Sequence, residues 1–170
     1  MGAFDDVLSA NAAFAPTYRD QGMPGRAAQG LAVITCMDSR IDPLLMLGLS
    51  RGDAKILRTA GARVTDDVLR SLVVAHHLLG VERVLVVAHT DCGMARTDDA
   101  TVHRLIAERT GIDSRSLEFS TIDDQLATLA HDVQRVRSLP YLRAGVPVLG
   151  CVYDVRTGRL DVVVAEGVSI

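Results

Sequence analysis

The residues of this chain best suited to chemistry fall in two short segments, Cys36-Met37-Asp38-Ser39-Arg40 and His89-Thr90-Asp91-Cys92-Gly93. Two thiolates and one imidazole are soft donors, which select zinc over hard cations. Zinc sits about 2.3 Å from sulfur and about 2.0 Å from a histidine nitrogen, so donors of one ion must converge within a few ångströms. Three protein ligands leave a fourth position open, the arrangement of a catalytic rather than a structural zinc. Cys36, His89 and Cys92 are therefore the expected ligands of one zinc ion. The remaining cysteine, Cys151, lies in an apolar run and reads as a buried small hydrophobe. Asp38 and Arg40 follow Cys36 at a spacing that lets a carboxylate and a guanidinium pair beside the metal. The carboxylate then either binds zinc or is held off it. In an arbitrary loop such a pair would be worth ~0–1 kcal/mol; directly after a metal ligand, the functional reading is preferred. A water on zinc falls in pKa from 15.7 towards about 7, and a carboxylate accepting its hydrogen bond would orient the resulting hydroxide.

The elements that must position these groups read as strands and helices in alternation, which predicts a parallel sheet flanked by helices. Leu31–Cys36 is an apolar run without alternation, as for a strand covered on both faces. Residues 43–49 follow as a short helix with Asp42 as cap and Pro43 in its first turn. Residues 53–60 form a second strand, broken by Gly61. A helix begins at Thr65, carries Val68, Leu69, Leu72, Val73 and Ala75 on one face, and stops at Gly80. The run Arg83–His89 is the third strand. Helices are expected over 100–109 and 122–137, a fourth strand over 146–153, a turn at Thr157-Gly158 and a short last strand over 160–165. Residues 6–15 suit a helix and 21–30 a loop. Adjacent strands lie about 4.8 Å apart. Strands one and three must therefore be neighbours if Cys36 and His89 share an ion, with strand two beyond the first. Ligands of open α/β sheets bind where the strand order reverses, beyond the carboxyl ends. The expected fold is a single α/β domain over 1–170: four parallel strands plus a short final edge strand, with 1–30 as an N-terminal helical arm and loop.

Composition bounds the function classes. The chain has 170 residues, 48% hydrophobic and 23% charged, with a net charge of -3, which is ordinary globular usage. Lys55 is the only lysine and no basic run occurs, which argues against nucleic acid or an anionic membrane as partner. Apolar runs such as 84–88 and 162–165 are far too short to span a bilayer. The opening residues carry two early acids and no basic stretch before an apolar block, unlike a secretion signal. An odd cysteine count fits a reducing compartment better than a disulfide framework, so a cytoplasmic location is expected. Other motifs weigh less. His76 and His77 fall within a helix, where packing or solvation accounts for them, and His103 and His131 lie in charge-rich helical surroundings. Gly61-Ala62-Arg63 follows a strand but matches neither a dinucleotide nor a phosphate loop, and no serine sits in a nucleophile elbow. Asp66-Asp67 reads as first-turn helix acids favoured by the helix dipole.

The paired segments closely resemble the β-class carbonic anhydrases of the short prokaryotic type. Gly52-Asp53-Ala54-Lys55 and Arg58-Thr59-Ala60-Gly61 resemble that family's second strand and Ala-Gly turn. Val152-Tyr153-Asp154-Val155 and Thr157-Gly158-Arg159-Leu160 resemble its closing strands. The likeness runs from about Leu31 to Leu160. It departs at Thr59, where many members have Asn, and in having no tryptophan, which the members with a non-catalytic bicarbonate pocket use there. The resemblance implies a zinc lyase that reversibly hydrates carbon dioxide to bicarbonate and a proton through a zinc-bound hydroxide. It implies one Zn2+ per chain on Cys36, His89 and Cys92. It gives Asp38 two roles: fourth ligand in a closed form, or acceptor from the hydroxide in the open one. Arg40 holds Asp38 off the metal. It also implies an apolar pocket at a dimer interface, for which Met37, Ala60 and Gly61 are the expected lining, and hence a homodimer or dimer of dimers. Two other readings use the same site: hydrolysis of carbonyl sulfide or carbon disulfide, and a non-catalytic zinc-dependent sensor closed permanently by Asp38. A nucleotide-binding α/β domain with coincidental Cys and His is disfavoured by the missing glycine-rich loop.

Overall fold

In the computed structural model, which describes residues 2–19 and 22–165, Leu31–Cys36 forms strand β1 and is buried at every position. A strand with no alternation needs cover on both faces, and β1 has it, lying inside a five-stranded sheet of order β2-β1-β3-β4-β5. Strands β2 (Ala54–Thr59), β3 (Arg83–His89) and β4 (Val148–Tyr153) run parallel with it, and β5 (Leu160–Val164) returns antiparallel along β4. The strand order is the one required to bring Cys36 beside His89: β1 sits between β2 and β3, and Thr35 pairs with Val87.

Among the described residues, four α-helices accompany the sheet: α1 (Asp5–Phe14), α2 (Asp66–Leu78), α3 (Asp99–Thr110) and α4 (Gln125–Arg137). On one sheet face, Val68, Leu72 and Ala75 of α2 and Leu129, Val133 and Val136 of α4 pack on Ala32, Ile34, Val84 and Val86. Because side chains alternate along a strand, the intervening residues Leu31, Val33, Leu85 and Val87 face the other way. There they meet Cys151 and the chain around Met46, Leu47 and Leu49. Helix α1 buries none of its residues. Among the described residues, no helix is long and apolar enough to cross a membrane.

Several boundaries differ from the sequence expectation, each for a local reason. The helix expected over 43–49 is a single 3₁₀ turn, Leu45–Leu47. Asp42 starts it by accepting the Leu44 and Leu45 N–H groups at 3.1 and 3.0 Å, but Gly48 takes a left-handed φ of 65° and ends it. Helix α4 begins at Gln125 and not at 122, because the Asp124 carboxylate caps the Leu126 and Ala127 amides. Strand β4 begins two residues late, after Pro147, which has no N–H to give. The loop expected over 21–30 is present over 22–30, and Gln21 lies outside the described residues.

This packing makes Leu72 a test of the core. It is 0% exposed between α2 and the sheet, while Val74, two residues on, is 40% exposed. Leu72→Ala is expected to lower unfolding free energy by about 2–5 kcal/mol and Val74→Ala by no more than about 0.5 kcal/mol. Urea unfolding of the two variants checks this; equal effects would mean that α2 packs otherwise.

Candidate metal centre

Strand β1 ends in Cys36 and strand β3 in His89, so their neighbouring carboxyl ends carry a thiol and an imidazole. The chain then turns through Thr90 and Asp91 and returns Cys92 to the same point. Asp91 has a left-handed φ of 61°, a conformation that Asp tolerates better than most residues. The two sulfurs and a ring nitrogen of His89 lie within 4.8 Å of one another, and all three residues are buried.

The donor set fits a metal ion. His89 is 1% exposed, and its Nδ1 faces the Thr90 carbonyl oxygen at 2.8 Å. A carbonyl can only accept, so Nδ1 carries the proton and the Nε2 lone pair points into the cluster. That Nε2 is buried without a hydrogen-bond partner. An orphaned buried acceptor beside two thiols is costly unless a cation fills the space. The sulfurs share their environment unequally. A hydrogen bond from Cys92 holds the Cys36 thiol far below its ordinary value against the cost of burial, with help from the Asp38 and Gly61 backbone amides. The same sulfur contact and burial push Cys92 well up. Cys151 stands apart: it is 0% exposed on the opposite sheet face, outside the cluster, and burial pushes its thiol up to about 11.

Asp38 and Arg40 form a two-pronged pair beside the cluster. Arg40 Nη2 donates to Asp38 Oδ2 at 2.7 Å and Nε to Oδ1 at 3.0 Å, with the Arg40 backbone N–H adding a third bond at 2.9 Å. Arg40 holds the Asp38 carboxyl far below the usual carboxylate range. Asp38 Oδ2 nevertheless lies only 3.9 Å from His89 Nε2. The pocket over this pair is lined by Cys36, Met37, Asp38, Arg40, Ala60, Gly61, Cys92 and Met94, so the expected lining residues are at its wall. Its volume of about 540 Å³ far exceeds what a triatomic molecule fills, and Met37 is 66% exposed at its rim.

Sequence reasoning missed several supports. Asp91 accepts Arg40 Nη1 at 2.8 Å, and its carbonyl accepts Nη2 at 3.1 Å, so the guanidinium is gripped from two sides. Its place between His89 and Cys92 was the available signal. Arg58 reaches from β2 to the Cys36 carbonyl at 3.0 Å and the Asp38 carbonyl at 2.6 Å. Thr59, the departure noted from the family pattern, donates its hydroxyl to the Arg63 carbonyl at 2.8 Å. The remaining histidines serve other places. His76 Nδ1 meets the Val81 carbonyl and His77 Nε2 the Tyr141 carbonyl, His103 pairs with Ser114, and His131 is exposed.

Comparison with known proteins agrees with this geometry. A family model described as carbonic anhydrase matches residues 31–160. β-Carbonic anhydrase 1 of Mycobacterium tuberculosis is 34% identical over 161 residues, spanning 95% of this chain and 98% of that one. The crystal structure of carbonic anhydrase from Streptococcus mutans aligns with a TM-score of 0.89 at 35% identity, covering 96% of this chain and 99% of that one. A carbon disulfide hydrolase of Acidithiobacillus thiooxidans is 29% identical, over 84% of this chain and 80% of its own. Matched along most of its length in sequence and in fold, the chain belongs to the β-carbonic anhydrase family of enzymes.

Proposed function

We propose that this protein catalyses the reversible hydration of carbon dioxide to bicarbonate and a proton on one zinc ion held by Cys36, His89 and Cys92. The observation that carries this reading is the convergence of the three buried donors within 4.8 Å, beside the Asp38–Arg40 pair, with Cys36 and Cys92 lining an open pocket. Zinc bound there supplies the Lewis acidity that makes water a nucleophile near neutral pH. The chain supplies the rest. Asp38, kept ionised, accepts a hydrogen bond from the reacting water and so aims its lone pair at the carbon. Arg40 keeps Asp38 in that role and away from the metal, with Asp91 fixing the guanidinium. Met37, Ala60 and Gly61 offer an uncharged substrate a wall without charged side chains. The Asp38–Arg40 pair disfavours the sensor reading, since it gives Asp38 a partner other than zinc.

We further propose a homodimer or dimer of dimers. Helix α1 buries nothing, and Val7, Leu8 and Phe14 are 57%, 66% and 54% exposed on it. Together with the open pocket, this favours α1 as an arm laid on a second copy. The three free cysteines favour a reducing compartment and hence the cytoplasm.

Metal content tests the ligand set: Cys151→Ser should keep one zinc per chain, and Cys92→Ser should lose most of it. Equal zinc in both would overturn the assignment. Stopped-flow assays with carbon dioxide, and with carbonyl sulfide and carbon disulfide in parallel, test the substrate. Hydration of carbon dioxide is expected to be the fastest, and a protein active only on the sulfur gases would shift the reading to the carbon disulfide hydrolases. In the same assay Arg40→Leu and Asp38→Ala should each lose about 10²-fold or more. Zinc stays bound in both, but a crystal structure should show Asp38 filling the fourth position only in Arg40→Leu. Near-parental turnover in Arg40→Leu would show that Arg40 gates nothing. Sedimentation of the protein lacking residues 1–19 should show a smaller assembly than the parent; an unchanged oligomer, or a fully active monomeric parent, would remove the arm's role.

A further inference from the structure

The segment 120–132, running from the loop after α3 into α4, contacts the chain beside all three candidate ligands. Gln125 Nε2 donates to the carbonyl of His89 itself at 2.8 Å. The Ile122 N–H donates to the Met94 carbonyl at 2.9 Å, in the turn Gly93–Ala95 that directly follows Cys92. Asp132 accepts Arg63 Nε at 2.8 Å and the Val64 N–H at 3.1 Å, while Arg63 Nη1 donates to the Ser120 carbonyl at 2.9 Å. Arg63 closes the turn Ala60–Ala62 on the pocket wall, and Thr59, across that turn, accepts at its carbonyl the N–H of Met37, next to Cys36, at 2.9 Å.

Gln125 and Asp132 are seven residues apart, two helical turns, and so share one face of α4. Asp132 is 2% exposed, and a buried carboxylate is tolerated only where it is paired; its hydrogen-bond donors all belong to the residues after this turn. The turn needs outside restraint. Gly61 and Ala62 have φ of 68° and 60°, the second being a conformation that a residue with a Cβ rarely holds unaided. A Cβ on Gly61 would lie 2.9 Å from Ile122 Cδ1, so the turn packs directly on the segment. Neither Gln125 nor Asp132 lines the pocket over the cluster.

We propose that Gln125 and Asp132 are positioning residues of the zinc site, holding the His89 carbonyl and the Ala60–Ala62 turn so that the three donors stay converged. This rests on the zinc reading above. Partners one step out from a metal's ligands typically govern metal affinity or activity by about 10–100-fold.

The test compares Gln125→Leu and Asp132→Asn with Gln134→Leu, the same kind of change at an exposed site on the same helix. Each protein is loaded with zinc or cobalt. Metal release to a chelator, the visible spectrum of the cobalt form, turnover of carbon dioxide and melting temperature are then measured. Gln125→Leu should release metal about 10-fold faster or more, with a shifted cobalt spectrum, reduced kcat and a melting temperature near the parent's. Asp132→Asn should move the same readouts, and Gln134→Leu should match the parent. Parental release and spectrum in Gln125→Leu would overturn the proposal even if Asp132→Asn unfolds. A parent that binds neither metal overturns the zinc reading and this inference with it, a failure recognised because it precedes any substitution.

Discussion

A small cation can be shared by three side chains only if their donor atoms come within a few ångströms of each other, and few backbone arrangements allow this for residues far apart in sequence. Two parallel strands side by side are one such arrangement, since about 4.8 Å separates them and their last residues point into the same crevice. Here β1 and β3 are those strands, and the left-handed step at Asp91 folds Cys92 back beside them. The rest of the architecture serves that adjacency. Strand β2 covers the outer edge of β1, β4 covers that of β3, and α2 and α4 close one face over a core of valine, leucine and isoleucine.

The electrostatics around the cluster show two solutions to keeping charges apart at short range. Contact between the two sulfurs affects them in opposite directions, pulling the Cys36 thiol down and pushing the Cys92 thiol up. A cation in the cluster would favour the deprotonated form of both sulfurs, since the thiolate is the form that binds. Asp38 would otherwise bring an unpaired carboxylate up to these sulfurs, yet it is engaged by two nitrogens of Arg40. Arg40 in turn is shared with Asp91, so the guanidinium serves two carboxylates at once. A planar fork of donors makes this sharing possible; a lysine could not reproduce it.

Much of the fold was legible because the pattern was strong. The apolar runs at β1 and β3 have the bounds expected of them, and the need to join Cys36 to His89 dictated the strand order. The three residues that converge, Cys36, His89 and Cys92, could be picked out from residue type and spacing alone. What escaped were contacts whose partners lie far apart in sequence and have ordinary identities. Gln125 is one glutamine on an amphipathic helix, and nothing local says that it meets His89. Asp132 looks like any helix acid until Arg63, sixty-nine residues earlier, is placed beside it. Helix limits slipped where a cap or a glycine overrode periodicity, as at Asp124 and Gly48.

The pairing of β1 with β3 also bears on how the protein is made. Between Cys36 and Cys92 the chain carries β2, α2 and β3, all of which must be synthesised before the three donors can meet. At synthesis rates of about 5–20 residues per second, the fifty-six residues from Met37 to Cys92 take roughly 3 to 11 s to be added. For that interval Cys36 is a lone thiol on a growing chain, with neither its imidazole nor its sulfur neighbour yet available. A sulfur destined for such a cluster has to stay reduced over that interval, and capture of a metal by all three donors would belong to the finished fold rather than to its beginning.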